Sequence, residues 1–168
     1  MSARDLSIRA AGPTDAPAIA ELHVAVWRAT YRDLAPPEAM RALDIPFRHA
    51  RWIELLAKAE RTVLIAECGG RIVGIGTAGA PTVPELSGHG EILYLYVDPT
   101  QARAGIGKEL MRRLARALQA QGYRSLALGV VEQPAGDRLL QETWRTACGF
   151  LHRSWTAVAV TEPDHHLG

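Results

Sequence analysis

Cysteine is scarce in this chain. Cys68 and Cys148 are the two present, and they show no metal-ligand spacing. A disulfide-dense scaffold is therefore excluded, and a reduced, cytoplasmic protein is the expectation. No charge of one sign dominates: 19 basic residues face 18 acidic ones, for a formal charge of +1. General nucleic-acid binding, which needs a clear basic excess, is not expected. No apolar run approaches the roughly 18 residues of a membrane span. Arg4 and Asp5 are followed by strand-like residues rather than an apolar signal core. Repeats and low-complexity linkers are absent as well.

What remains is an ordinary globular composition, 48% apolar and 22% charged over 168 residues. That length suits one domain with a sizeable core, spanning 1–168, with 161–168 as a frayed polar tail. Leu6–Ala11 alternates as a first strand, and Gly12-Pro13-Thr14-Asp15 breaks it. Thr14 or Asp15 can cap a helix that runs to about Thr30, with Ile19, Leu22, His23, Val26 and Trp27 at helical spacing. Pro36-Pro37 opens a short helical stretch, Ile45-Pro46 interrupts it, and Arg51–Ala59 resumes it. Two apolar strands, Arg61–Glu67 and Arg71–Thr77, flank Gly69-Gly70, the mark of a tight hairpin.

Beyond a Gly- and Pro-rich loop, Glu91–Asp98 is apolar on both faces after its first residue, as in a central strand covered on both sides. An amphipathic helix follows, with Leu110, Met111, Leu114, Ala117 and Leu118 inside, Arg112, Arg113 and Arg116 mostly outside, and Gly122 as its stop. Ser125–Val131 reads as a buried strand, Asp137 to about Ala147 as a last helix, and Phe150–Val160 as a final strand. This order predicts a mixed α/β sheet with at least one parallel crossover.

Between the central strand and its helix lies Asp98-Pro-Thr-Gln-Ala-Arg-Ala-Gly-Ile-Gly-Lys108. Gly105 and Gly107 let backbone approach a ligand closely. The free N–H groups of a helix start favour an anion there, so the turn can cradle a pyrophosphate. The bland alternative is a tight connection. A nucleotide P-loop would need Ser or Thr after Gly107-Lys108, where Glu109 stands, and the dinucleotide fingerprint needs a third glycine.

This segment, after Leu93-Tyr-Leu-Tyr-Val97, resembles the acyl-CoA motif of the GNAT superfamily of N-acetyltransferases. The family pattern (Gln or Arg, two residues, Gly, one residue, Gly or Ala) falls on Ala102–Gly107. Trp144–Phe150 is similar to the family's last helix and closing Gly-Phe, and His23–Tyr31 resembles a segment of one bacterial branch. The resemblance implies an α/β (α+β) fold whose mixed, splayed central sheet carries helices on both faces. It implies acetyl-CoA as cosubstrate and no metal. Ala102, Arg103, Ala104, Gly105, Ile106, Gly107 and Lys108 would hold the pyrophosphate. The backbone of Leu95, Tyr96 and Val97 would pair with the pantetheine arm. A splay from the next strand, Leu126–Val130, would admit the acetyl group.

Three departures stand out. Ala102 occupies the Gln or Arg position. Arg145 occupies the position of a tyrosine that protonates the leaving thiolate in many relatives. The chain after Gly149 has room for one strand where many relatives have two, so the sheet is short by a strand or completed in a homodimer.

Acetyl transfer to nitrogen needs a neutral amine, and a carboxylate can take its proton. Glu91 stands fourteen residues before Gly105, a spacing at which several family members carry a general base; the alternative is a strand-end glutamate in solvent. Trp27 and Tyr31, four apart on the first helix, share a face and are candidate substrate contacts. His23 and the pair Tyr94 and Tyr96 are expected to pack. The arginines after Lys108 are expected to lie on a solvated helix face. His165 and His166 form no metal site, and Cys148 is expected to be structural. The sequence thus points to an N-acetyltransferase acting on a small-molecule or peptide amine, with no nucleic-acid or membrane partner. The alternative is a non-catalytic acyl-CoA-binding or sensing module.

Overall fold

The computed structural model describes residues 6–31, 44–130 and 156–161. The elements are β1 (Leu6–Ala10), α1 (Ala16–Tyr31), α2 (Ile45–Leu56), β2 (Thr62–Cys68), β3 (Arg71–Gly79), β4 (Gly90–Val97), α3 (Ile106–Ala120), β5 (Ser125–Val130) and β6 (Thr156–Thr161). They build one six-stranded sheet in the order β1-β2-β3-β4-β5-β6. Pairing is antiparallel from β1 through β4 and parallel from β4 through β6. The last helix expected over Asp137–Ala147, the Trp144–Phe150 segment and the Pro36-Pro37 stretch lie outside the described residues.

The helices divide between the two faces, as expected. On one, Ala16, Ile19, Ala20, Leu22 and Val26 of α1 and Trp52 of α2 pack on Val63, Ile65 and Ile75. On the other, Met111, Leu114, Ala115 and Leu118 of α3 pack on Ala78, Ile92 and Leu126. Ile106 and Leu110 extend that layer over Ala66 and Val73. Each large side chain buried this way contributes about 1.5–3 kcal/mol of transfer free energy.

Two turns repay comparison with the sequence. Gly69 and Gly70 have φ of 57° and 76°, the pair of left-handed residues that a two-residue hairpin requires. Ile45-Pro46 does not interrupt a helix but starts one. The side chain of Asp44 accepts a hydrogen bond from Phe47 N at 2.7 Å and Pro46 sits in the first turn, where its missing N–H costs nothing.

Candidate active site

β4 carries an irregularity that organises the site. Tyr94 pairs with Thr77 and Ile92 with Ala78, so Leu93 is an extra residue on β4, a β-bulge. Side chains on a strand alternate between faces. The extra residue resets that alternation. Ile92, Leu95 and Val97 all pack on the α3 side. Tyr94 and Tyr96 pack on the α1–α2 side, and Glu91, next to Ile92 and opposite Gly79, joins them there.

The bulge also marks where β4 and β5 part. Their parallel pairing covers Gly90, Glu91 and Ile92 against Leu126, Ala127 and Leu128. β5 then continues to Val130 against β6. Among the described residues, no strand pairs with the β5-side edge of Leu93–Val97. This is the predicted splay, and Leu95, Tyr96 and Val97 line it.

At the far end of β4, Asp98 N donates to Val73 O at 2.8 Å, closing the strand. The Asp98 carboxylate accepts from Thr100 N at 2.9 Å and Thr100 Oγ1 at 2.8 Å, holding a 3₁₀ turn over Pro99–Gln101. Arg103 and Gly105 then both take left-handed backbone, φ 67° and 77°. Gly105 adopts it freely as the N-cap of α3; for Arg103 it costs roughly 1–2 kcal/mol. Ala102, Arg103, Ala104 and Gly105 are exposed, Gly107 is half-buried and Ile106 is anchored in the core. The first helical bond recorded after the cap runs from Glu109 N to Gly105 O at 3.0 Å. The amides of Ile106 and Gly107 come ahead of it and have no intrahelical acceptor. Left-handed residues two apart in a turn before a helix start make a concave, electropositive backbone surface.

Arg112 and Arg113 do not reach towards this turn as free cations. Arg112 Nε and Arg113 Nε each lie 2.8 Å from a Glu109 oxygen, and Arg113 Nη1 donates to Ile8 O at 3.0 Å. The hydrogen bond from Arg112, with help from Arg113, holds the Glu109 carboxyl down to about 2.

Glu91 is not a strand-end glutamate in solvent. Thr82 N donates to its Oε2 at 2.7 Å and Thr82 Oγ1 to its Oε1 at 2.9 Å. Arg61 Nη2 lies 3.8 Å from Oε2, with both side chains only 7% exposed. Arg61 Nη2 itself donates to Ala80 O at 2.7 Å, and Arg61 Nη1 has no hydrogen-bond partner. Neither Arg61 nor Thr82 was singled out by the sequence. Arg61 reads there as the start of a strand and Thr82 as a loop residue, and no spacing ties either to Glu91.

His23 packs, as expected. It is 1% exposed and accepts a hydrogen bond at Nδ1 from Trp52 Nε1 at 3.1 Å. Its ring lies 5.2 Å from that of Tyr94 and 4.7 Å from that of Tyr96. Burial, with the nearby Arg48 charge, pushes its pKa down to about 3, so the ring is neutral. Trp27 is half-buried on α1. Tyr31 is the last residue of that helix, and its side chain lies outside the described residues, as does Arg145.

A cavity of about 440 Å³ opens between α1 and the β2–β3 hairpin, lined by Asp15, Glu21, Leu22, Glu67, Arg71 and Asp98 among others. It contains none of the expected site residues. Four carboxylates in its wall make it a poor seat for phosphates. Among the described residues no group of three or more His, Cys, Asp or Glu could hold a metal ion, and no helix is long and apolar enough to cross a membrane.

Residues 19–150 match the family model described as Acetyltransferase (GNAT) family. The chain belongs to the GNAT acetyltransferases. It is 28% identical over 130 residues to the uncharacterized N-acetyltransferase YuaI of Bacillus subtilis, covering 76% of this chain and 73% of that one. It is 31% identical over 96 residues to an IAA acetyltransferase of Azospirillum brasilense, covering 57% of this chain and 56% of that one. Its fold matches that of the PaiA N-acetyltransferase of Thermoplasma acidophilum, solved in complex with coenzyme A, with a TM-score of 0.71 and 18% identity over 84% of this chain and 87% of that one. As a GNAT acetyltransferase the chain is an enzyme, which decides against the non-catalytic alternative.

Proposed function

We propose that this GNAT enzyme moves an acetyl group from acetyl-CoA to a primary amine by direct attack, with Glu91 receiving the amine proton. The observation that carries this reading is the parting of β4 from β5 after Ile92, which leaves an open backbone edge leading to the left-handed turn at the start of α3. The residues present fit the cosubstrate. Amides at the start of α3 hold the pyrophosphate from Ala102 to Lys108, and the free edge of Leu95, Tyr96 and Val97 pairs with the amides of the pantetheine arm. Backbone carries both contacts, so Ala102 in place of Gln or Arg removes a side-chain contact and leaves the cradle.

Acetyl-CoA, when bound, supplies the thioester whose C–S bond breaks as the N–C bond forms. A backbone N–H on the open edge of β4 stabilises the oxyanion. Glu91 takes the proton, directly or through water. An ionised carboxylate offers about four acceptor directions, and Thr82 and Arg61 occupy at most three. The thiolate leaves without a dedicated acid, since thiols titrate near ~8.5. Trp27 and Tyr31 on α1 contact the acceptor. The acceptor is a small-molecule or peptide amine.

Thiol release from acetyl-CoA across a panel of amines tests this. Glu91→Gln is expected to lower kcat by about 10²–10⁴ while CoA affinity, measured by calorimetry, stays within error. Tight CoA binding without thiol release for any amine would overturn the reading.

A further inference from the structure

The environment of Glu91 holds two competing partners. Thr82 places one donor on each carboxylate oxygen, at 2.7 and 2.9 Å. Arg61 stands at 3.8 Å, outside hydrogen-bond range. A guanidinium this near a carboxylate ordinarily closes to a bidentate pair at about 2.8 Å. Arg61 has the capacity to do so, because Nη1 is buried and has no hydrogen-bond partner. A buried donor left unpaired costs about 1–3 kcal/mol, so Arg61 exerts a standing pull on Glu91.

We propose that Thr82 is a positioning residue for the reaction, holding Glu91 out of a closed pair with Arg61 so that the carboxylate stays available to the acceptor amine. This rests on the reading of Glu91 as the base. The loop that carries Thr82 is itself pinned. Leu86 is 3% exposed, and Leu86 N donates to Val83 O at 3.2 Å and Ser87 N to Pro84 O at 3.0 Å. Arg61 is also held in place from behind. A Cβ at Gly79 would lie 3.0 Å from Arg61 Cγ and 3.0 Å from Glu60 O, so the bare glycine is what lets the arginine lie over β3. With Arg61 fixed and its Nη1 without a partner, the amide and hydroxyl of Thr82 together hold the carboxylate where it rests, and the hydroxyl is the half of that grip a side-chain substitution removes.

The test compares Thr82→Val, which keeps shape and amide but removes the hydroxyl, with Thr82→Ser, which keeps it. The expected result is a kcat lower by about ten- to hundred-fold in the valine variant, the loss expected for a misplaced catalytic group. CoA affinity and thermal midpoint should remain near wild type, and serine should restore kcat. In a Glu91→Gln background, Thr82→Val should add no further loss. Should the valine variant fail to fold, Thr82→Ala gives the same comparison. A wild-type kcat in Thr82→Val, or losses that simply add to those of Glu91→Gln, overturns the role of Thr82 and leaves Glu91 standing. A wild-type kcat in Glu91→Gln overturns the base itself.

Discussion

Glu91 and His23 are buried ionisable groups on one face of the sheet, and the chain treats them in opposite ways. Glu91 is given donors on both oxygens and a nearby cation. His23 receives one N–H on Nδ1 and three aromatic neighbours, which suits a neutral ring. The sequence located both positions and expected His23 to pack, but it did not show the partners that define each environment, because Trp52 and Arg61 are far from them along the chain and Thr82 sits in a loop with no periodicity. Gly107 shows the same division. Its place in the motif was legible, whereas the space around it was not. A Cβ there meets Val97 Cγ2 at 3.6 Å, an ordinary contact. Gly107→Ala should therefore fold with an unchanged or slightly higher thermal midpoint, since alanine suits a helix better by about 1 kcal/mol. Its CoA affinity should nevertheless fall by about tenfold as the phosphates lose close approach. Calorimetric titration with CoA checks this, and unchanged affinity would remove the helix start from the phosphate site.

Among the elements, periodicity was a sound guide where burial is one-sided. α3 was legible from Leu110, Met111, Leu114 and Leu118, all 0% exposed. Pro46 was misread because a proline inside a helix and a proline in its first turn look alike until the cap at Asp44 is seen. The bulge at Leu93 was also invisible. After Glu91 the strand is apolar throughout, so no alternation existed to be broken. Close packing of α3 on β3 gives a test at this scale. A Cβ at Gly76 would fall 2.6 Å from Leu114 Cδ1. Gly76→Ala should cost about 1–3 kcal/mol through overpacking. Combined with Leu114→Ala, the loss in urea denaturation should be smaller than the sum of the two. Strict additivity would mean the helix does not ride this close to the strand.

For the molecule as a whole, the neutral core histidine couples folding to acidity. His23 titrates at about 3 when folded and near ~6.5 when unfolded. Between those values the unfolded chain holds a proton that the folded chain refuses. Stability is full above the unfolded value and falls as pH drops through this window, by up to ~1.4 kcal/mol per pH unit. Denaturation free energies should decline by about 2 kcal/mol from pH 7 to pH 5, and His23→Gln should flatten that slope even if it lowers the plateau. An equal slope in the variant would place the titrating group elsewhere.

The extra residue at Leu93 gives β4 two phases. Before it, the strand is locked between two neighbours; after it, one edge is free. Deleting Leu93 would only make the ladder regular, with Ile92 and Tyr94 keeping their partners Ala78 and Thr77, whereas pairing Leu93 regularly would turn Glu91 round to the α3 layer if the upper half kept its register. It would instead exchange Tyr94 and Tyr96 for Leu95 if the lower half did. Taking the bulge out of the pairing while Leu93 stays in the chain therefore moves a carboxylate from one side of the sheet to the other in a single step. The core registers the move at once, because Ile92 would leave its place among Leu114, Leu118 and Leu126.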